Sequence, residues 1–417
     1  MPFTPHIPPS LKHRRFFYLW LGSTLSIIGT RMQVWALFWH IDQLTHSPLA
    51  LGMVGAARVV PIVVFSLFGG VIADAFDRRK MMFLTQAVMV VEASTLGLLT
   101  LTGRIELWHI YALTALQALA FAFDNPASQA LLPNLVPRKD LSNALTVRAM
   151  AFQVGAILGP ALAGFIIEWV GIPFTYLINA FSFVAVFIAL LLIGKVEQEG
   201  SQEIKPGQRI TLGSIKDGLK FTFGQPIIFS SMVLDFLATF FARIDTLMPI
   251  FAREVLHVGP LAYGWLSAAQ SIGAMAAALV ISQMKEIKRQ GAVLLWSVVI
   301  FGISTIVFGL SRSFAFSMLA LIGAGASDTV SMIIRNTIRQ LQTPDRLRGR
   351  MTSVTQIFFM GGPQLGEIEA GVVGQLFGVP MAALSGGIAC ILGVGWIKKR
   401  WPQLASYQGD EPSVAGS

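Results

Sequence analysis

The chain of 417 residues is 54% hydrophobic and only 13% charged. A soluble protein carries about 25% charged residues, so most of the surface of this chain must face something other than water. The net charge of +9 does not indicate a nucleic-acid-binding protein, because the bases are spread over alternate loops. A single cysteine, Cys390, excludes a disulfide within the chain, and we expect neither a metal ion nor a cofactor.

Apolar segments long enough to cross a membrane follow one another along the whole chain. A spanning helix needs about 20 apolar residues, which leaves room for roughly a dozen helices with short loops. The sequence predicts an all-α membrane protein with twelve transmembrane helices. They cover approximately residues 16–41, 49–73, 81–102, 107–127, 141–170, 174–193, 227–251, 261–284, 292–310, 314–338, 351–377 and 381–397.

The distribution of positive charge supports this topology. With the amino terminus inside, 23 of the 31 Lys and Arg residues fall in segments on that side, and only 3 fall in the opposite loops. An excess of Lys and Arg marks the cytoplasmic side of a membrane protein. We therefore expect a multi-pass protein of the plasma (inner) membrane with both termini in the cytoplasm.

The composition divides the chain into four regions. Residues 1–194 and 227–400 are each expected to form a six-helix bundle. Residues 195–226 form a polar cytoplasmic linker, in which residues 215–223 are predicted to make a short amphipathic helix on the membrane surface. Residues 401–417 are predicted to be a disordered cytoplasmic tail.

The two bundles repeat each other in sequence. A shift of 207 positions places Gly164 on Gly371, and a shift of 212 positions places Arg31 on Arg243. Because glycine and proline occupy special backbone positions, their coincidence indicates a structural repeat. Further coincident pairs are Gly155 with Gly362, Gly159 with Gly366, Gly171 with Gly378, Pro173 with Pro380, Pro48 with Pro260 and Gly52 with Gly264.

A compact charged motif connects the second and third segments. A charged hairpin between spanning helices cannot lie in lipid, so it lies at an interface. With Gly70, Asp74 and Arg78, followed by Arg79, the motif resembles the loop after the second helix of major facilitator superfamily transporters. Asp77 stands where that family often has glycine, and the Asp-Arg-Arg-Lys form resembles the branch that includes macrolide and siderophore (enterobactin-type) exporters.

This resemblance covers about residues 14–400 and implies the major facilitator fold, in which two pseudo-symmetric six-helix bundles enclose a site near the midplane. It implies that Asp74 and Arg78 lock one conformation through the cytoplasmic loops. Arg348 and Arg350, before the eleventh helix, are their expected partners.

The fifth segment carries a second motif that resembles one of the family. Gly155, Gly159, Pro160 and Gly164 are similar to the Gly-Pro motif on the fifth helix of major facilitator drug antiporters. Spaced small residues let helix backbones approach closely, and proline permits a bend. The motif is interpreted as a packed seam that closes one side of the cavity, although helix packing alone also explains it.

Charged residues inside spanning helices are the candidates for the mechanism, since each costs about 2.5–3.5 kcal/mol on insertion scales. Asp235, Arg243 and Asp245 lie in the seventh segment, and Asp328 and Arg335 lie on one face of the tenth. Glu92, the isolated acid of the third segment, is predicted to form a structural ion pair. The remaining candidates are Glu367 and Glu369 in the eleventh segment and Arg31 and Arg58 in the first and second.

A carboxylate beside an arginine in a cavity of low dielectric changes its protonation as solvent access changes, which a proton antiporter requires. Asp235 and Asp328 are the first candidates for this role. An equally weighted alternative for any single pair is that it only holds helices together. The fourth segment lacks the arginine that many drug antiporters carry there, and Gln117 and Asp124 are its nearest polar groups.

These features predict a secondary active transporter, not an enzyme, that exports amphipathic small molecules of the drug, macrolide or siderophore class by alternating access, coupled to protons. The expected partners are the lipid bilayer, a small-molecule substrate and protons, and the protein is expected to act as a monomer without nucleic acid. The alternatives are a lipid or lysolipid flippase or a nutrient importer on the same fold, or a membrane sensor or assembly factor that does not transport.

Overall fold

The computed structural model of the chain describes residues 8–75, 77–196, 221–284, 287–344 and 348–409. Side chains are described throughout these ranges except at 63–64, 66–75, 348–350 and 352–361. The linker at residues 197–220, including most of the surface helix predicted over 215–223, therefore lies outside the described residues.

Twelve long helices, numbered here in chain order, make up most of the described structure. Eight helical segments in the described ranges are long and apolar enough to cross a membrane by length and composition alone. The helices are α1 Arg14–Thr45, α2 Pro48–Ala75, α3 Arg78–Leu101, α4 Leu107–Leu131, α5 Leu141–Trp169, α6 Ile172–Ile193, α7 Pro226–Phe241, α8 Pro260–Gln283, α9 Gln290–Leu310, α10 Phe314–Gln342, α11 Arg348–Phe377 and α12 Val379–Arg400.

Large apolar side chains point outward from these helices. Phe181 of α6 is 75% exposed and Trp169 of α5 is 71% exposed. A soluble monomer rarely exposes apolar surface on this scale, whereas a bilayer covers it. The helices therefore have the surface of a multi-span membrane protein.

Glycine sets the tight turns between α5 and α6 and between α11 and α12. Gly171 has a φ angle of 102° and Gly378 one of 89°, in the region that favours glycine. In both turns a proline follows two residues later, in the first turn of the next helix. These two turns coincide under the shift of 207 positions, so the sequence repeat corresponds to a repeated turn.

The seventh segment is interrupted, although its sequence predicts one continuous helix over residues 227–251. The helix α7 ends at Phe241, and the chain resumes as a short 3-10 turn over Asp245–Leu247 and a π turn over Phe251–Val255. Pro249 has no N–H to bond the carbonyl of the residue four positions earlier, and its ring crowds that carbonyl. This disfavours a regular α-helical turn before Pro249, and the chain is unwound at residues 242–244.

The described residues form two compact units. Unit 1 groups those within Met1–Leu44, Ala57–Ile204 and Gly259–Ala268, and unit 2 groups those within Thr45–Ala56, Lys205–Val258 and Ala269–Ser417. The first part of α2 thus belongs to unit 2, and the first part of α8 belongs to unit 1.

A buried polar network crosses the core of unit 1, where α3 packs against α4 and α6. Gln33 Nε2 of α1 donates hydrogen bonds to both carboxylate oxygens of Glu92 in α3, at 2.9 and 3.2 Å. Asn179 Nδ2 of α6 donates to Gln33 Oε1 at 2.7 Å. In the described part of the chain the partner of Glu92 is thus an amide, and the ion pair predicted for this acid is wrong.

The core of unit 2 packs α9 against α10 and α12 and extends into the chain after α12. A short helix, Pro402–Ser406, follows α12, and Leu404 and Tyr407 are fully buried. The Tyr407 carbonyl accepts a hydrogen bond from Gly291 N at 2.9 Å. Where the sequence predicts a disordered tail from residue 401, the structure therefore describes a packed segment up to residue 409; residues 410–417 lie outside the described ranges.

A close glycine-to-glycine helix contact in unit 1 is related by the repeat to one in unit 2. In unit 1, Gly164 of α5 lies against Gly264 of α8 and the Pro260 carbonyl. In unit 2, Gly371 of α11 lies against Gly52 of α2 and the carbonyl of Pro48. Small residues allow such close approach of helix backbones, so the equivalent glycines serve the same packing role twice.

Candidate functional site

Arg335 of α10 is the centre of an ionic cluster in unit 2. Its Nη2 atom lies 2.9 Å from Asp235 Oδ1 of α7 and 3.7 Å from Asp328 Oδ1, which is two turns earlier on the same face of α10. The side chain of Arg335 is 4% exposed and that of Asp235 is 11% exposed, whereas that of Asp328 is 47% exposed. The cluster therefore joins a buried cation to one buried and one accessible carboxylate.

A second ion pair lies where α7 is interrupted. Arg243, in the unwound residues, places Nε 3.0 Å from Asp245 Oδ2. Arg243 also interacts electrostatically with Glu367 of α11 and with Asp328. The interruption thus places an arginine within range of three carboxylates from three parts of unit 2, and discontinuous helices of this kind surround the binding sites of many transporters.

The two acids of α11 have different surroundings. Glu367 is buried, and its Oε2 atom lies 3.2 Å from the position that a Cβ atom would take on Gly55 of α2. Glu369 is half-buried. The structure thus brings Glu367 into electrostatic range of Arg243, whereas Glu369 has no charged neighbour among the described residues.

Unit 1 contains a cavity of about 310 Å³ lined by residues of α1 to α6, which we call the unit 1 cavity. The predicted site residues Arg31 of α1 and Arg58 of α2 both line it. The guanidinium carbon of Arg58 lies 5.4 Å from the centre of the Phe38 ring, within the range of a cation–π contact. Both arginines of the first two segments therefore belong to one cavity wall.

An acid and a base on neighbouring helices also line the unit 1 cavity. Asp124 Oδ1 of α4 accepts hydrogen bonds from Thr85 Oγ1 at 2.7 Å and from Gln86 Nε2 at 3.0 Å, both in α3. Arg148 of α5 interacts electrostatically with Asp124. Sequence reasoning noted Asp124 only as a nearby polar group and did not select Arg148. The available signal was one acid and one base in consecutive spanning segments.

The described part of the charged motif after α2 binds helix ends of unit 1. Asp77 caps α3, because its Oδ1 atom accepts hydrogen bonds from the backbone N–H groups of Arg79 and Lys80 at 2.9 and 3.2 Å. Arg78 Nη1 donates to the Ala130 carbonyl at 3.0 Å, and Arg79 Nε donates to the Leu190 carbonyl at 2.9 Å.

These carbonyls lie in the last turns of α4 and α6, where a positive charge is favourable. The motif thus joins the start of α3 to two helix ends, and Asp77 provides the N-cap of α3. The side chains of Asp74, Arg348 and Arg350, and the surroundings of Gly70, lie outside the described residues.

The glycines of the fifth-segment motif face two other helices of unit 1. A Cβ atom on Gly155 would lie 2.6 Å from a methyl group of Ile27 in α1, and one on Gly159 would collide with Arg31. Gly164 faces α8, as described above. Pro160 lies inside α5, which continues through it from Leu141 to Trp169. The motif is therefore a packing surface for α1 and α8.

The long helices and the apolar exterior define a multi-span membrane protein, and ionic groups lie inside both of its units. More narrowly, residues 4–410 match the family described as transmembrane secretion effector, and the chain belongs to that family. The twelve-helix fold and the family resemblance predicted from the sequence are confirmed.

Curated relatives are similar over nearly their whole length. The enterobactin exporter EntS of Citrobacter koseri is 25% identical over 377 residues, which cover 89% of this chain and 88% of the relative. The enterobactin exporter EntS of Escherichia coli O1:K1 is 24% identical over 387 residues, with 92% and 91% coverage.

Solved structures are similar in fold at lower identity. A bacterial homologue of the human lysosomal transporter Spinster, in an inward-facing and unoccupied conformation, has a TM-score of 0.72 at 13% identity and covers 96% of this chain and 97% of its own. A POT family transporter in complex with 5-aminolevulinic acid has a TM-score of 0.72 at 13% identity, with 94% and 96% coverage.

Proposed function

We propose that this transporter exports amphipathic small molecules in exchange for protons, by alternating access. Asp235 and Asp328 carry the proton, and Arg335 is the charge they share. The surrounding charges, which modulate the exchange of substrate for protons, are those of Asp245, Glu367 and Arg243.

The observation that carries this proposal is the sharing of Arg335 by two carboxylates. Two acids and one arginine have a net charge of −1, and uptake of one proton makes the group neutral. The cost of a charge in a low-dielectric site changes with access to water, so binding or release of a proton can follow the change in access.

The hydrogen bonding of Arg335 supports a functional role over a purely structural one. Its Nε and Nη1 atoms are buried and have no hydrogen-bond partner among the described residues. A buried ion pair is stable when its remaining polar atoms are satisfied. Water or a bound molecule is therefore the natural partner of these atoms during transport.

Two further observations support export and orientation. The curated relatives are named as exporters of enterobactin, which supports export of a small molecule over import. The excess of Lys and Arg in alternate loops supports an inner-membrane location with both termini in the cytoplasm. We further propose that the protein works as a monomer with two six-helix halves, residues 1–194 and 227–400, joined by the linker 195–226.

The motifs have supporting roles in this proposal. The cytoplasmic motif, including Asp74 and Arg78 with Arg348 and Arg350, holds one conformation. The glycines of α5 form the seam that closes the cavity.

The test is transport of a panel of amphipathic compounds into everted membrane vesicles, with and without an uncoupler. A membrane potential supplies about 2.3 kcal/mol per charge per 100 mV, so coupled accumulation collapses when the gradient is removed. Asp235→Asn is expected to abolish gradient-driven accumulation and to retain exchange of substrate across the vesicle membrane.

Glu254→Gln is the matched control, because it makes the same chemical change on a side chain of unit 2 that is 52% exposed. It is expected to behave as the wild type. Accumulation by Asp235→Asn with the same uncoupler sensitivity as the wild type would refute the role of Asp235.

A further inference from the structure

The wall of the unit 1 cavity is cationic. Among its described residues the ionisable side chains are Arg31, Arg58 and Arg148, with Asp124 as the single acid. They come from α1, α2, α5 and α4, while the wall residues from α3 and α6 are uncharged. Arg31 and Arg58 have further interaction partners, so Arg148 is the base of this wall that favours a bound anion.

Arg148 is the group in this wall that is available to a ligand. It is half-buried and forms no salt bridge or hydrogen bond with a described residue. Its neighbours among the described side chains are the Phe152 ring, whose centre lies 6.0 Å from the guanidinium carbon, and Asp124, with which it interacts electrostatically. An arginine that lines a cavity with its donors unused is suited to a carboxylate, which it can bind in a bidentate manner.

Asp124 is held by other groups and is not a close partner of Arg148. Thr85 and Gln86 of α3 both donate to its Oδ1 atom. These two bonds fix the acid on the α3 side of the cavity. Its charge attracts Arg148 without occupying the donors of that guanidinium.

The size and lining of the cavity select the rest of the ligand. A volume of about 310 Å³ is at the lower end for ligand sites. Most of the wall is apolar, with aromatic rings from Trp20, Phe121, Phe152 and Phe183. One aromatic ring system with an acid group fits this volume and chemistry.

We propose that the unit 1 cavity is a binding subsite for aromatic carboxylates, in which Arg148 binds the acid group and the aromatic side chains contact the ring. This assignment rests on the proposed export function and names the chemical class of its substrates. Asp124 tunes the site, because its negative charge competes with the ligand for Arg148.

The test uses three probes with the same ring and different charge: 1-naphthoate, 1-naphthalenemethanol and 1-naphthylmethylammonium. Their binding to the purified full-length protein is measured by equilibrium dialysis, with protein-free detergent as the blank. The wild type is expected to bind the acid about tenfold or more tightly than either of the others, since a hydrogen-bonded charge contributes this much.

Variants then locate the acid group. Arg148→Gln is expected to weaken 1-naphthoate binding about tenfold or more and to leave the alcohol unchanged. Arg148→Lys should retain part of the affinity, and Asp124→Asn should bind 1-naphthoate more tightly than the wild type. Arg104→Gln is the matched control, because Arg104 is exposed in the loop before α4 and is expected to change nothing.

Two results would overturn the assignment. One is equal affinity of the wild type for the acid and the amine. The other is an equal loss of affinity for 1-naphthoate in Arg148→Gln and in Arg104→Gln. The comparison of three probes on the wild type stands even if a variant fails to fold. Because binding is measured without a gradient, failure here is distinguishable from failure of proton coupling, which the vesicle experiment with Asp235→Asn detects.

Discussion

The glycine contact between α5 and α8 makes a quantitative prediction. An alanine at Gly164 would place its Cβ atom 2.5 Å from the Pro260 carbonyl oxygen and 2.8 and 3.0 Å from Gly264 Cα and N. Ordinary van der Waals contact begins at 3.4 Å, so the two helices must separate by about 0.9 Å. All three atoms belong to the backbone, and no side-chain rotation relieves the collision.

The magnitude follows from two opposing effects. Overpacking a close contact costs about 1–3 kcal/mol, and alanine regains about 1 kcal/mol of helix propensity over glycine. Because only backbone atoms collide, we place Gly164→Ala near the upper limit, with a net loss of about 2 kcal/mol in the free energy of unfolding. Gly371→Ala should lose less, about 1 kcal/mol, since its nearest backbone atoms lie at 2.8 and 2.9 Å.

The assay is thermal unfolding of the purified protein, followed with a thiol-reactive dye. Cys390 is the one cysteine in the chain and is 1% exposed, so it reacts only when the structure opens. Gly395→Ala is the control, because a Cβ atom at this α12 position meets nothing within 4 Å. From highest to lowest unfolding temperature, the expected order is Gly395→Ala, Gly371→Ala and Gly164→Ala. Equal unfolding temperatures for Gly395→Ala and Gly164→Ala would refute the packing argument.

Two further predictions concern buried hydrogen bonds, measured in the same unfolding assay. Gln33→Leu removes both hydrogen bonds from the side-chain amide to the Glu92 carboxylate and should destabilise the protein by about 1–3 kcal/mol. Glu92→Gln retains a hydrogen-bonding group and should destabilise it less. A larger loss for Glu92→Gln than for Gln33→Leu would contradict this account of the network. Tyr407→Phe removes the hydroxyl that accepts from Gln342 and donates to the Gly409 carbonyl, and should cost about 0.5–1.5 kcal/mol. An unchanged midpoint for Tyr407→Phe would mean that the two hydrogen bonds of this hydroxyl do not contribute to the stability of unit 2.

Interactions between helices were predicted unevenly. The grouping of Asp235, Asp328 and Arg335 as candidates followed from the cost of charges in lipid and from the spacing on α10, and the structure places the three together. Which acid is buried and which is accessible did not follow, because that depends on how α7 packs against α10. Arg148 was missed for the same reason: an arginine in an apolar segment does not indicate by itself that a cavity lies beside it.

Backbone irregularities were also beyond the sequence pattern. The segment over residues 227–251 has the composition of a continuous span, yet α7 ends at Phe241. Gly366 of α11 and Gly386 of α12 approach the carbonyls at this end of α7, where a side chain would collide. An unwound backbone among spanning helices is stable only where surrounding protein accommodates it, so its position depends on neighbours distant in sequence.

The sequence by itself determined the number of spans and the repeated glycine–proline turns, and it predicts the side of the membrane on which the loops lie. Each of these features depends on the transfer of one segment between water and lipid, or on glycine and proline within one turn. The residues that determine it are therefore close together in sequence. The tertiary structure alone decided the partners: the acids that share Arg335, the amide that binds Glu92, the cavity that Arg148 lines and the carbonyls that the arginines of the charged motif bind. These pairings join residues from different helices, and their energies depend on distances that only the packed helices set.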